Sequence, residues 1–182
     1  MAKTRIAVIV GSLRKESFNR QLANALPALA PDVEFTQLRI DDLPPYDQDA
    51  DAAPPEAAKR LKSEILAATG LIFVTPEYNR SMPGFLKNAI DHASRPYGQS
   101  AFKGKPAGVL GVSIGAAGTA MAQQHLRNVL AYLDVPTLGQ PEVFIHAKDG
   151  VFAGPGKLGE STEKFVQGWM SAYLAFVKRH AA

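Results

Sequence analysis

The chain of 182 residues has no cysteine. That excludes disulfides, a thiolate nucleophile, thiolate-bound zinc and cysteine-held iron–sulfur clusters together. Histidine is scarce. His92, His125, His146 and His180 are scattered, match no HExxH-type spacing and lead to the expectation of no metal site. Charge of one sign is also missing. Lys and Arg number 20 against 17 Asp and Glu, a net charge of +3 with no basic block, so no nucleic-acid partner is expected.

Long hydrophobic runs are absent too. Met1–Arg5 is followed only by the apolar stretch Ile6–Val10, too short for the core of a signal peptide. The longest uncharged run, Pro106–Gln124, is rich in Gly, Ala and Ser. It falls short of the roughly 20 mostly apolar residues that cross a bilayer. A cytoplasmic protein without membrane insertion is the expectation. With 46% apolar and 20% charged residues, residues 1–182 suit one domain with a sizeable core.

What is present is an alternation of two periods. Ile6–Val10, Leu71–Val74 and Pro106–Val112 are continuous apolar runs, as in strands buried on both faces. Val33–Ile40 alternates like an outer strand, and Val143–Ile145 is a short last one. Between them run helical stripes: Phe18, Leu22, Ala25, Leu26 and Leu29; then Ala58, Leu61, Ile65 and Ala68 after Pro54-Pro55-Glu56. Leu86, Ala89, Ile90 and Ala93 follow Pro83, with Ser81 as the expected cap. Ala122, Leu126, Val129, Leu130 and Leu133 make a fourth stripe. Phe165, Trp169, Tyr173 and Phe176 make a fifth, read as core, on a final helix Ser161–Lys178. Asp41–Pro55 and the glycine-rich Ala147–Gly159 read as loops.

Strand and helix thus alternate five times. That predicts a three-layer α/β sandwich, a parallel sheet with helices on both faces, and five strands fit the flavodoxin-like order 2-1-3-4-5. Ligands of such sheets sit beyond the carboxyl ends of the strands, where strands one and three part. Informative residues should therefore follow strands one, three and four, and they do.

After strand one, Gly11-Ser12-Leu13-Arg14-Lys15-Glu16-Ser17-Phe18-Asn19 brings hydroxyls, an arginine and an amide to a helix start. Free N–H groups and the helix dipole there favour a phosphate; an ordinary polar loop is the plainer alternative. After strand three, Thr75-Pro76-Glu77-Tyr78-Asn79-Arg80-Ser81-Met82-Pro83-Gly84 offers a stiff loop suited to the edge of a planar polar ring. A proline-rich turn with a helix cap explains it equally. After strand four, the small residues of Ser113-Ile114-Gly115-Ala116-Ala117-Gly118-Thr119 permit either a flat ligand or close helix–sheet packing.

In Ser12-x-Arg14-x-x-Ser17-x-Asn19, Pro76-Glu77-Tyr78-Asn79-x-Ser81-x-Pro83-Gly84-x-Leu86-Lys87-Asn88-Ala89-Ile90-Asp91, Ser113-x-Gly115-x-x-Gly118 and Gln123-Gln124-His125-Leu126-Arg127, the chain resembles the NADPH-dependent FMN reductase family. Its quinone and chromate reductase branch is the nearest likeness. The resemblance implies FMN as cofactor, NADPH or NADH as donor, and a small acceptor: a quinone, chromate, azo compound or free flavin. It implies that Ser12, Arg14, Ser17, the Phe18 amide and Asn19 surround the FMN phosphate. By the same carry-over Pro76, Glu77, Tyr78 and Asn79 line the isoalloxazine, and Ser113 and Gly115 complete the pocket. It further implies ping-pong transfer of two electrons with the chemistry carried by the flavin, and a homodimer or homotetramer. Two departures bear on acceptor preference: Thr119 stands where glycine is expected, and Met121 where arginine is common.

Three rival patterns exist. Gly111-Val112-Ser113-Ile114-Gly115 matches the GxSxG nucleophile elbow, with Asp134 and His146 following in hydrolase order, so a serine hydrolase is the alternative enzyme. A flavodoxin-type electron carrier would share fold and cofactor, although docking carriers usually show a strongly one-signed surface. Gly154-Pro155-Gly156-Lys157-Leu158-Gly159 matches GxGxxG but follows the last strand, and reads as a chance match.

Overall fold

Residues of the apolar runs alternate between two cores, one on each face of a single sheet, as the period of two along a strand requires. The computed structural model describes residues 3–180. Its parallel strands are β1 (Arg5–Val10), β2 (Glu34–Leu38), β3 (Gly70–Val74), β4 (Ala107–Ser113) and β5 (Val143–His146), in the order β2-β1-β3-β4-β5. The helices are α1 (Phe18–Ala25), α2 (Glu56–Ala67), α3 (Gly84–Ala93), α4 (Ala120–Tyr132) and α5 (Glu160–His180). Ile6, Val8, Val10, Ile72, Val74, Leu110 and Val112 face α1 and α5; Ala7, Ile9, Leu71, Phe73 and Val109 face α2, α3 and α4. This is the flavodoxin-like three-layer arrangement, and it puts β1, β3 and β4 side by side. Among the described residues no helix is long and apolar enough to cross a membrane.

Four details depart from the pattern-based expectation. The first helix changes at Leu26 into a 3₁₀ turn over Leu26–Leu29, because Pro27 has no N–H for the α ladder and its ring crowds the preceding turn. Ala147–Gly159 is not all loop. It holds the antiparallel hairpin β6 (Phe152–Gly154) and β7 (Lys157–Leu158), turned at Pro155-Gly156 and fastened to α1 by stacking of Phe152 on Phe18 at 6.0 Å. The GxGxxG match is largely this hairpin.

Helix α5 buries Val166, Trp169, Met170, Tyr173 and Val177, whereas Phe165 is exposed and Phe176 only partly covered. At roughly 100° per residue those two phenylalanines lie some 80–100° from the centre of the buried stripe. Trp169 and Tyr173 stack at 5.2 Å and press on β4, where a Cβ at Gly108 would come within 2.6 Å of the indole. The fourth detail, Ser81, belongs to the site.

Candidate functional site

The first loop ends in a capped helix. Ser17 is the N-cap of α1, its Oγ accepting from Arg20 N–H at 3.2 Å. That leaves the N–H groups of Phe18 and Asn19 without an acceptor among the described residues, pointing outward from the positive end of the helix. Ser12 is buried beside them, and Arg20 holds its carbonyl with Nη2 at 3.3 Å. Arg14 is exposed, with its guanidinium 5.9 Å from the Phe18 ring centre. The side chain of Asn19 points inward and bonds the main chain of Val112. Its outward-facing group is therefore the N–H.

The second loop is a miniature hairpin. Tyr78 and Ser81 exchange backbone hydrogen bonds of 2.9 and 3.0 Å, and Asn79 and Arg80 between them have φ of 51° and 63°. Paired left-handed residues make the turn that matches strand twist, usually written with Asn-Gly; an arginine there is strained. No Asn-Gly marks it in the sequence, which is why it reads there only as a stiff loop. Ser81 is consequently not the cap of α3. Pro83 takes that position without a side-chain bond, and the Ser81 hydroxyl lies 3.0 Å from His125 Nδ1 on α4. Pro76 is buried, Glu77 bonds the start of α4 through its carboxylate, and Tyr78 and Asn79 are exposed.

The third loop is held by the Ser113 hydroxyl, which accepts from Gly115 N–H at 3.2 Å, while Ile114 to Ala117 stand exposed. Thr119 turns inward and is fully buried, its Oγ1 accepting from Gln123 at 2.8 Å. Its hydroxyl therefore braces α4 instead of facing the loops. Met121 sits on the rim with Sδ 3.7 Å from Arg80 Nη1.

All three loops leave the carboxyl edges of β1, β3 and β4, which are adjacent. Buried glycine lets the last two meet: a Cβ at Gly111 would lie 2.1 Å from the Thr75 carbonyl oxygen. The result is an anion-ready helix terminus, a rigid backbone edge and a low wall of small residues at one place. The hydrolase alternative lacks its geometry. Asp134 bonds Gly104 ahead of β4, whereas Ser113 ends that strand, roughly 20 Å away at about 3.3 Å per residue. No acid at that distance can orient a histidine for Ser113.

Comparison with known proteins agrees with this geometry. Residues 4–150 match the family model of NADPH-dependent FMN reductase. A 2-hydroxy-1,4-benzoquinone reductase from a Burkholderia species is 53% identical over 176 residues, covering 96% of each chain. A quinone reductase from Escherichia coli is 37% identical over 188 residues, covering 97% of each. Among solved structures, the flavoenzyme NAD(P)H:(acceptor) oxidoreductase FerB from Paracoccus denitrificans superposes with a TM-score of 0.93 at 44% identity, covering 97% of this chain and 98% of that one. With its match over residues 4–150, the chain belongs to the NADPH-dependent FMN reductase family, oxidoreductases that work with FMN and a nicotinamide donor.

Proposed function

We propose that the chain is an FMN-dependent NAD(P)H oxidoreductase that reduces quinones or similar small acceptors by ping-pong transfer of two electrons. The observation that carries this reading is the meeting of the α1 N-terminus, the Tyr78–Ser81 hairpin and the Ser113–Gly118 loop at one edge of the sheet. The donor set fits the cofactor. A phosphate monoester carries about −1.5 to −2 charges and three acceptor oxygens. The Ser12 and Ser17 hydroxyls, the Phe18 and Asn19 N–H groups and Arg14 suit it, and the last supplies positive charge. Backbone from Pro76 to Asn79 suits the ring edge, with Ser113 and Gly115 closing the other side.

FMN bound there would supply the redox chemistry between NADPH or NADH and the acceptor. What the chain contributes is position and charge. The Glu77 and Asn79 N–H groups have no acceptor among the described residues, while that of Tyr78 is used inside the hairpin. Fixed donors of this kind hold negative charge at a ring edge without reorganising, as an oxyanion hole does. Tyr78, Ile114 and Met121 expose apolar surface from the two loops and α4, a wall that suits a planar nicotinamide or quinone. Arg80, with 72% of its side chain exposed and its nearest carboxylate oxygen at 3.8 Å, is placed to meet the phosphates of the incoming dinucleotide. The names of the relatives favour quinones as acceptors.

In this reading residues 1–182 form one domain, since α5 returns to the sheet that α1 covers. We read the assembly as a homodimer or homotetramer and the location as cytoplasmic. A groove of about 590 Å³ between α3 and α4, flanked by exposed Tyr97 and Tyr132, supports the former. The test of function is anaerobic mixing of the FMN-loaded protein with NADPH and then 1,4-benzoquinone. Bleaching of the flavin bands followed by their return is expected; bands that NADPH leaves untouched would contradict the reading.

A further inference from the structure

Glu77 stands in the loop assigned to the ring edge, and its carboxylate reaches across to the start of α4. Oε2 accepts from the N–H groups of Met121 and Ala122 at 3.0 and 3.1 Å, the two donors next to the start of α4. Thr119, the N-cap residue, makes no side-chain cap bond, because its hydroxyl serves Gln123 instead. An acid from a residue 44 positions away in the sequence therefore does what a local Ser, Thr or Asp does at most helix starts. The Glu77 side chain is only 10% exposed, and its other oxygen lies 3.8 Å from Arg80 Nη1.

We propose that Glu77 is a positioning residue for the FMN site: by capping α4 in place of Thr119 it clamps the hairpin onto that helix and fixes the backbone donors that face the ring. The inference rests on the FMN reading of the site. The need for a clamp follows from the turn itself. Asn79 and Arg80 are both left-handed, a combination that a two-residue turn between non-glycine residues holds only when its flanks are fixed. One flank, Ser81, is tied to His125 on α4. The other is Glu77. Both anchors lie on the same helix, so the hairpin and α4 move together. With Oε2 committed to the two α4 N–H groups, the cap acts on the flavin through the backbone it places.

Glu77→Ala and Glu77→Gln separate this role from others. Glutamine keeps an acceptor oxygen of the same reach, whereas alanine keeps none. In the protein freed of FMN, amide exchange at Met121, Ala122, Tyr78 and Ser81 is expected to quicken by about tenfold or more in Glu77→Ala and to stay near wild type in Glu77→Gln. FMN titration, followed by visible absorption, is expected to weaken about tenfold in the alanine variant, with blurred flavin band structure, and to be largely rescued by glutamine. Faster exchange with unchanged FMN affinity would overturn the proposal, because the clamp would then be structural only. Equal damage from alanine and glutamine would overturn it too, since charge and not capping would be what the flavin senses. A wild-type chain that takes up no FMN at all would refute the underlying reading instead, and the exchange data would still report on the clamp by themselves.

Discussion

Asn19 and Val112 exchange hydrogen bonds through one side chain: Nδ2 donates to the Val112 carbonyl at 2.8 Å, and Val112 N–H donates to Oδ1 at 2.9 Å. The reason lies in the sheet. Thr75 N–H bonds Leu110, so along β4 the even-numbered residues Leu110 and Val112 face β3. At Val74 that strand ends, and Pro76 leads the chain away. The Asn19 amide takes the place of the missing strand and seals the end of β4. It also ties the start of α1 to the residue preceding Ser113, so the first and third loops share one anchor.

Replacing Asn19 by alanine leaves both Val112 groups buried and unpaired, at a cost of about 2–4 kcal/mol. Asn19→Asp should be no better, because it sets a carboxylate oxygen against the Val112 carbonyl. Urea unfolding checks this: the midpoint should fall in both variants with the slope unchanged. An unchanged midpoint in Asn19→Ala would show that the pair carries nothing.

Arg80 should separate stability from function. Its φ of 63° costs about 1–2 kcal/mol that glycine avoids, so Arg80→Gly is expected to raise stability by about 1 kcal/mol. The same change removes the exposed cation, and KM for NADPH should rise several-fold with kcat nearly constant. Steady-state kinetics beside thermal unfolding reads both. A KM identical to wild type would remove Arg80 from the dinucleotide site.

Gly111 marks where the second and third loops nearly touch. A Cβ there would sit 2.1 Å from the Thr75 carbonyl oxygen and 2.6 Å from Thr119 Oγ1. Thr75 cannot retreat without losing its N–H bond to Leu110 at 3.0 Å. Gly111→Ala is therefore expected to cost about 3 kcal/mol and to weaken FMN binding with it. Chemical unfolding and a flavin titration of the same sample test the pair of effects.

Tyr173 gives the fold an alkaline limit. Its hydroxyl, fully buried, donates to the Leu71 carbonyl at 2.8 Å, and burial raises its pKa well above the ordinary tyrosine value. Past about pH 10 the unfolded chain loses this proton and the folded chain keeps it. Its contribution is thus complete below that pH and declines as pH rises further. Tyr173→Phe should cost about 1 kcal/mol at neutral pH yet lose stability less steeply above pH 10. Thermal unfolding of both proteins between about pH 8 and 11 is the check.

Much of this was legible from residue order. Apolar runs such as Ile6–Val10 and Leu71–Val74 announce strands buried on both faces, and their alternation with helical stripes leaves few topologies. The three converging loops were equally readable, whereas the Ser17 cap came from the structure. What escaped was set by contacts distant in sequence. Nothing local says that Ser81 binds His125 rather than capping α3, or that Glu77 caps α4 because Thr119 is engaged by Gln123. The β6–β7 hairpin hid behind its glycines, although Pro155-Gly156 is a turn signal that a composition-based reading passes over.

The central claim is that the three loops form one FMN site, and its most direct test is a visible absorption spectrum. The purified protein is incubated with FMN, freed of unbound ligand and scanned, beside a variant carrying Ser17→Ala and Asn79→Ala. Retained flavin bands in the wild type, lost or strongly reduced in the variant, are the predicted result. A wild-type protein that emerges colourless, or a variant that keeps its flavin undiminished, would contradict the assignment.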